Sequence, residues 1–293
     1  AGMTGVTTVR FDENIDTNNS GNENYTVNNL AAGQEVTFAQ TVAGVDAGGT
    51  LTVALADASG SSDNVTVNLL GGAGDTAANN DLAALAILNV ETLNITSGSD
   101  STTALGAADD NTLSTITTDA TLGTLNLSGS DPLIVTVGAS ATGMTTINAS
   151  GMTDTVSITP SNTLAGLTIT GGSANDTIVM AAGLNNSDNI NGGAGTDTVS
   201  GTITSATATT GALNISNVEN VQLTNAGTAT LNVAGITGGT STAPTNIVNL
   251  GAATTTTITG IDAVNQTIDL GVANTTSAQG TFALTLADST GSA

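Results

Sequence analysis

A nine-residue pattern that occurs three times between residues 171 and 200 constrains the fold more than any other stretch. The copies read GGSANDTIV, GLNNSDNIN and GGAGTDTVS, and an insert, MAA, follows the first copy. Each copy opens with glycine, carries an aspartate at its sixth position and a β-branched aliphatic residue at its eighth. Glycine permits the positive φ of a tight turn, and the three remaining residues suffice only for a short strand. Stacked units of this kind predict a β-solenoid.

The oxygen atoms of these turns form a candidate metal site. The nonapeptide G-G-x-G-x-D-x-U-x supplies carboxylates and turn carbonyls, which suit a hard cation such as Ca²⁺. These repeats resemble those of the RTX proteins, and the resemblance implies a calcium ion between the first and third turns, which stand two repeats apart. The predicted ligands are the carboxylates of Asp176, Asp188 and Asp197 and the turn carbonyls of Gly172, Ala174, Gly193 and Gly195.

A second candidate calcium site lies in the acidic loop 12–23. Counted from its first aspartate, oxygen-bearing side chains follow the spacing of a twelve-residue calcium loop. Threonine stands where that loop expects glycine, and a solvated polar loop is the alternative. The predicted ligands are Asp12, Asn14, Asp16, Asn18 and Glu23.

Period-two alternation of apolar and polar residues predicts strands along most of the chain. From residue 113 to 180 a unit of strand, Gly/Asp turn and strand recurs about once per coil, and Asp154, alone in its turn, is expected to cap that turn. The runs ILNVETLNI (87–95) and ISNVENVQL (215–223) match position by position and predict a duplicated, glutamate-bearing strand.

These patterns predict an all-β, right-handed parallel β-solenoid; the alternative is a string of Ig-like β-sandwiches over residues 1–95 and 201–293. Three segments are expected: a β-rich segment at 1–95, a solenoid at 96–200 and a Thr-rich β segment at 201–293. The closing run GTFALTLADSTGSA repeats the pattern near residues 49–63 and stops within it. The chain is therefore expected to be a fragment of a longer polypeptide.

Composition excludes several classes of function. The net charge is −23, from 24 acidic residues and one basic residue, so nucleic acid and anionic lipid are not expected as partners. No apolar run approaches the ~18 residues of a membrane helix, so membrane insertion is not expected. The chain has no His, Cys or Lys, which removes the usual nucleophile and base pairs, and no enzymatic activity is expected.

The nonapeptides, the N-V-E-x-L/V-x-L/I runs and the dominance of Thr, Ala, Gly and Val resemble the RTX-type surface-layer (S-layer) proteins that Gram-negative bacteria export by type I secretion. The resemblance implies an extracellular structural protein that calcium folds after export and assembles into a two-dimensional lattice of its own copies. It also implies that the anchor to the cell surface lies in another segment. A calcium-dependent adhesin or biofilm fibre is the alternative function.

Overall fold

The computed structural model describes residues 7–11, 24–39, 49–57, 59–71, 81–99, 111–161, 166–203, 212–225, 229–232, 235–236, 245–249, 255–259, 266–269 and 281–284. These residues form β-strands and the corners that join them, and their one helical element is the 3-10 turn at Ala181–Gly183. The chain divides into two compact units, Ala1–Ser161 and Asn162–Ala293. The three segments expected from composition remain a prediction.

The first unit contains strands β1 to β12, which alternate between two parallel sheets. Their order is β1-β3-β5-β7-β9-β11 in one sheet and β2-β4-β6-β8-β10-β12 in the other. The strands are β1 (Thr8–Phe11), β2 (Tyr25–Leu30), β3 (Glu35–Ala39), β4 (Gly49–Leu55), β5 (Asn64–Gly71), β6 (Asp81–Leu88), β7 (Thr92–Ser99), β8 (Asn111–Thr117), β9 (Thr124–Gly129), β10 (Leu133–Val137), β11 (Thr146–Met152) and β12 (Val156–Thr159).

The second unit continues the same alternation with shorter strands. One sheet has the order β13-β15-β17, a second β14-β16-β18-β20-β22 and a third β19-β21-β23. The strands are β13 (Thr168–Thr170), β14 (Thr177–Val179), β15 (Asn189–Asn191), β16 (Thr198–Ile203), β17 (Asn214–Ser216), β18 (Asn220–Asn225), β19 (Ala229–Asn232), β20 (Thr245–Asn249), β21 (Thr255–Thr259), β22 (Gln266–Asp269) and β23 (Thr281–Leu284).

The predicted parallel β-solenoid is confirmed. Each described strand pairing is parallel, and successive strands alternate between sheets, so each coil gives one strand to each sheet. The alternative of Ig-like sandwiches is wrong, because sandwiches pair their strands antiparallel. Strands within 1–95 and 201–293, such as β5 with β7 and β18 with β20, pair in parallel instead.

Columns of aliphatic side chains fill the interior of the first unit. Val65, Leu93, Leu125 and Ile147 occupy one register position on four coils, and each is fully buried. Alternation with period two points these residues inward and the Thr and Asn between them outward. Burial of each such side chain contributes about 1.5–3 kcal/mol, which explains how a chain with 1% aromatic residues builds a core.

The matching runs 87–95 and 215–223 are not single strands, so that expectation was wrong. In the first run β6 ends at Leu88 and β7 begins at Thr92; in the second β17 ends at Ser216 and β18 begins at Asn220. The intervening N-V-E tripeptide is a corner at which the chain passes from one sheet to the other. Asparagine tolerates the left-handed region better than most residues, and it opens both corners, with φ of 56° at Asn89 and 52° at Asn217.

Candidate metal centre

The candidate centre lies on one corner of the second unit, where the chain passes from β13 to β14, from β15 to β16 and from β17 to β18. The register pairs Thr177 with Thr198 and Thr198 with Asn220. The residues that precede these three are Asp176, Asp197 and Glu219, which therefore occupy one position on consecutive coils. We call these three residues the acid corner.

The first and third nonapeptide turns stack directly on one another at this corner. The amide of Ala194 donates to the carbonyl of Gly172 over 3.1 Å, and the amide of Thr198 donates to the carbonyl of Asp176 over 2.8 Å. The insert 180–182 does not disturb this stacking because it lies between β14 and β15, at the other corner. The turns 171–176 and 192–197, two repeats apart in the sequence, therefore lie on consecutive coils at one corner, and an ion shared between them remains a prediction.

Close stacking explains the glycines of the third copy. Gly193 and Gly195 have φ of 102° and 127°, in the left-handed range that side chains rarely adopt. A Cβ atom on Gly195 would lie 2.3 Å from the carbonyl oxygen of Ala174 in the turn below. Both the backbone angle and the neighbouring turn therefore require glycine at this position.

The carboxylates of the acid corner form a ladder in which Asp197 and Glu219 each cap a main-chain amide of the preceding coil. Asp197 Oδ1 accepts from the amide of Asp176 at 2.8 Å, and Glu219 Oε2 accepts from the amide of Asp197 at 2.9 Å. Asp176 Oδ2 accepts from the amide of Gly172 in its own turn at 2.5 Å. Buried amides are thereby satisfied where the parallel pairing of strands is interrupted.

Negative charge accumulates in this ladder. Asp176 and Asp197 are each 1% exposed and Glu219 is 4% exposed. Burial raises the pKa of Asp197 to about 6. The hydrogen bond from the main-chain amide of Asp176 opposes this shift, and the negative charges of Asp176 and Glu219 add to it. Asp197 Oδ2 is buried without a hydrogen-bond partner. The chain's one basic residue, Arg10, belongs to the other unit.

Asp188 lies apart from the acid corner, between β14 and β15. Its two carboxylate oxygens accept from the amides of Leu167 and Asn185, each at 2.9 Å, and burial raises its pKa. Leu184, which replaces a glycine of the pattern, is buried in the same corner. The structure thus brings together two of the three predicted nonapeptide carboxylates and places the third on the other side of the coil.

Two groups of predicted ligands and one predicted turn cap remain. The carbonyl of Gly172 is engaged with the next turn, and Gly193, Gly195 and Ala174 line the stacked turns around it. Asp154 caps its own turn as expected, since its Oδ1 accepts from the amide of Thr155 at 2.7 Å. The acidic loop 12–23, with Asp12, Asn14, Asp16, Asn18 and Glu23, lies outside the described residues.

The donor chemistry of the acid corner fits a hard cation. Its side chains offer only oxygen, and one buried carboxylate oxygen, Asp197 Oδ2, has no partner. Within the described ranges, however, no three acidic side chains converge closely enough to form a finished metal cluster. Asp176, Asp197 and Glu219 are the residues that would hold an ion here, and the arrangement they adopt is a ladder of amide caps.

Sequence reasoning missed Glu219 as part of this site, because it placed the residue within a strand. Its counterpart in the first unit is Glu91, whose Oε2 accepts from the amide of Asp63 at 2.7 Å. Both glutamates end an N-V-E tripeptide whose valine, Val90 or Val218, is fully buried. The signal in the sequence was the recurrence of this tripeptide, which begins with an asparagine able to adopt positive φ.

Comparison with known proteins gives no relative: no protein family, no curated protein and no solved structure matches the chain detectably. A search of the described residues for a helix long and apolar enough to cross a bilayer finds none.

Proposed function

We propose that this chain is a structural protein of a bacterial cell-surface layer, and that calcium folds it and assembles its copies into a lattice outside the cell. The observation that carries the proposal is the acid corner, in which three buried carboxylates occupy one position on consecutive coils and Asp197 Oδ2 has no hydrogen-bond partner. Protons or bound cations stabilise such an arrangement because they offset its charge.

The mechanism is a coupling of ion binding to folding. The stacked turns that bring Asp176 and Asp197 to one corner exist only in the folded coil, so any ion held there stabilises that state. Bound calcium would supply the positive charge that offsets the buried carboxylates. A ligand at a hundredfold excess over its dissociation constant stabilises the folded form by about 2.7 kcal/mol per site. That is a substantial share of a typical net stability of about 5–15 kcal/mol.

A structural role also agrees with the inventory of side chains. The chain lacks the His, Cys and Lys that most nucleophile and base pairs require, and the single Arg leaves no cluster of positive charge for anionic substrates. Most of the described residues form stacked parallel strands, an architecture that suits a structural protein of a surface layer.

Circular dichroism in excess calcium and in excess chelator tests the folding half of the proposal. We expect a β spectrum with calcium and a loss of β signal or of thermal stability with chelator. Electron microscopy of the calcium-loaded protein tests the assembly half, because sheets support the lattice and single filaments support the alternative of an adhesin or biofilm fibre. Equal melting temperatures in calcium and chelator would contradict the proposal.

A further inference from the structure

The outward side of four neighbouring strands of one sheet, β5, β7, β9 and β11, carries no charge; Glu35 on the next strand, β3, pairs in register with Thr66 at its edge. The four strands read NVTVNLLG, TLNITSGS, TLNLSG and TINASGM, without one acidic or basic residue, in a chain that has 24 acidic residues. The residues between the buried aliphatic positions are mainly half-buried Thr, Asn and Ser, together with the half-buried Leu70 and the exposed Ser150. We call this surface the polar face. Its middle column is Thr66, Asn94, Asn126 and Asn148, which are paired in register on successive coils.

Side chains of the polar face are tied to one another along the solenoid. Asn126 Nδ2 donates to Asn94 Oδ1 over 2.9 Å, and Asn94 Nδ2 donates to Thr66 Oγ1 over 3.5 Å. In the neighbouring column the hydroxyls of Thr96 and Ser128 lie 3.5 Å apart. These ladders fix the amide and hydroxyl groups in a regular array with the 4.7–4.9 Å spacing usual for paired strands.

We propose that the polar face is where a second copy of this chain docks, sheet face to sheet face. The charge of the chain selects this occupant: two copies with a net charge of −23 each repel wherever their acidic surfaces meet, and an uncharged face lets them approach. A twofold contact must also be complementary to itself. Two carboxylates are not complementary to each other, because both only accept hydrogen bonds. The Asn amide and the Thr hydroxyl each both donate and accept hydrogen bonds.

The short side chains of the face suit this contact. Facing sheets that carry Asn ladders pack closely, with the identical strand spacing of the two copies setting a common register. The proposal rests on the self-assembly proposed above and adds which surface takes part in it. It places no calcium ion in the contact itself, because no residue of the acid corner belongs to the polar face.

The test is sedimentation equilibrium of the whole chain in excess calcium, the condition in which the proposed function has the chain folded, at about 0.15 M salt so that long-range repulsion is screened. Asn126, at the centre of the face, is changed to Lys and, separately, to Asp. The matched controls are Thr136→Lys and Thr136→Asp, at a half-buried outward position on β10 in the other sheet. Far-UV circular dichroism verifies folding, and Thr124→Lys and Thr124→Asp replace the Asn126 variants if those fail to fold.

We expect the wild type to dimerise, both Asn126 variants to weaken the dimer at least tenfold, and both Thr136 variants to match the wild type. A wild type that stays monomeric overturns the inference. A dimer affinity that rises with Lys and falls with Asp, at position 126 or at position 136, also overturns it, because such a result reports the net charge of the chain and not a specific contact through the polar face. A monomer that binds soluble dextran through Asn126 would assign the face to a neutral polysaccharide and equally overturn it.

The outcomes also separate this inference from the proposed function. Calcium-dependent sheets formed by Asn126→Lys would leave the proposed function standing and refute the polar face as an interface. If the chain dimerises through the polar face and calcium changes neither its folding nor its assembly, the polar face is supported as an interface and the proposed function is refuted.

Discussion

At the scale of single residues, the Asp197 carboxylate is held where its charge is unfavourable. It is buried beside two other acids, one of its oxygens accepts an amide hydrogen bond and the other has no partner. An aspartate occupies the sixth position of the repeat here, although a neutral residue would avoid the repulsion. The cation of the proposed function would offset this charge in the folded chain.

The raised pKa of Asp197 predicts how stability depends on pH when calcium is absent. The pKa rises from 3.8 in the unfolded chain to about 6 in the folded chain, so the folded state binds the proton more tightly. The stability contributed by this proton is fully present below pH 3.8 and is lost as the pH rises through about 6. In chelator, the melting temperature should therefore be higher at pH 5 than at pH 7.5.

Thermal melts of the wild type and of Asp197→Asn at the two pH values check this prediction. The variant cannot lose a proton, so its dependence on pH over this window should be shallower. Asp188, whose pKa is also raised by burial, leaves some dependence in both proteins. A wild type that becomes more stable between pH 5 and pH 7.5 in chelator would show that the assigned direction is wrong.

At the scale of the corner elements, glycine sets how closely two turns stack. We expect Gly195→Ala to destabilise the chain by about 1–3 kcal/mol, because it combines a strained backbone angle with a clash against the turn below. Gly123→Ala is the matched control: a Cβ atom there has its nearest neighbour at 3.9 Å, and φ is not positive.

Chemical denaturation of the two alanine variants measures the difference, and the control should stay within about 0.5 kcal/mol of the wild type. Equal losses at both positions would mean that the stacked turns are not tightly packed.

The N-V-E corner provides a second test at this scale. Glu91→Ala removes the acceptor for the amide of Asp63 and should cost about 1–3 kcal/mol, as expected for a lost hydrogen bond to a charged group. Glu91→Gln keeps an oxygen at the same reach and should recover most of the loss. If urea denaturation gives the same stability for the Ala and Gln variants, the glutamate does not act as an amide cap.

The elements also show what the sequence could and could not predict. Strict alternation and the nonapeptide glycines were sufficient for the parallel solenoid and for the stacking of turns 171–176 and 192–197. The roles of Glu91 and Glu219 were not predictable from alternation, because N-V-E continues the apolar-polar pattern while its asparagine turns the chain. Likewise, Asp188 shares the repeat of Asp176, but only the path of the coil shows that successive repeats face opposite corners.

At the scale of the whole molecule, each of the two units has its own arrangement of polar residues. Buried carboxylates gather at a corner, where turns stack, while the polar face of the first unit is free of charge. Coils of different length keep the same strand register. The capping pair Asp176 and Asp197 is 21 residues apart in sequence, and the ladder pair Asn94 and Asn126 is 32 residues apart. Length therefore varies at the corners without altering either surface.

The measurement that tests the central claim most directly is calorimetric titration of calcium into the chelator-stripped chain, in wild type and in Asp197→Asn. Glu91→Gln is the control, since it neutralises the same kind of amide-capping carboxylate outside the acid corner. The account predicts saturable binding in the wild type and in the control, and at Asp197→Asn the loss of one binding event or at least a tenfold weaker affinity. Calcium binding by Asp197→Asn that equals the wild type in stoichiometry and affinity would contradict it.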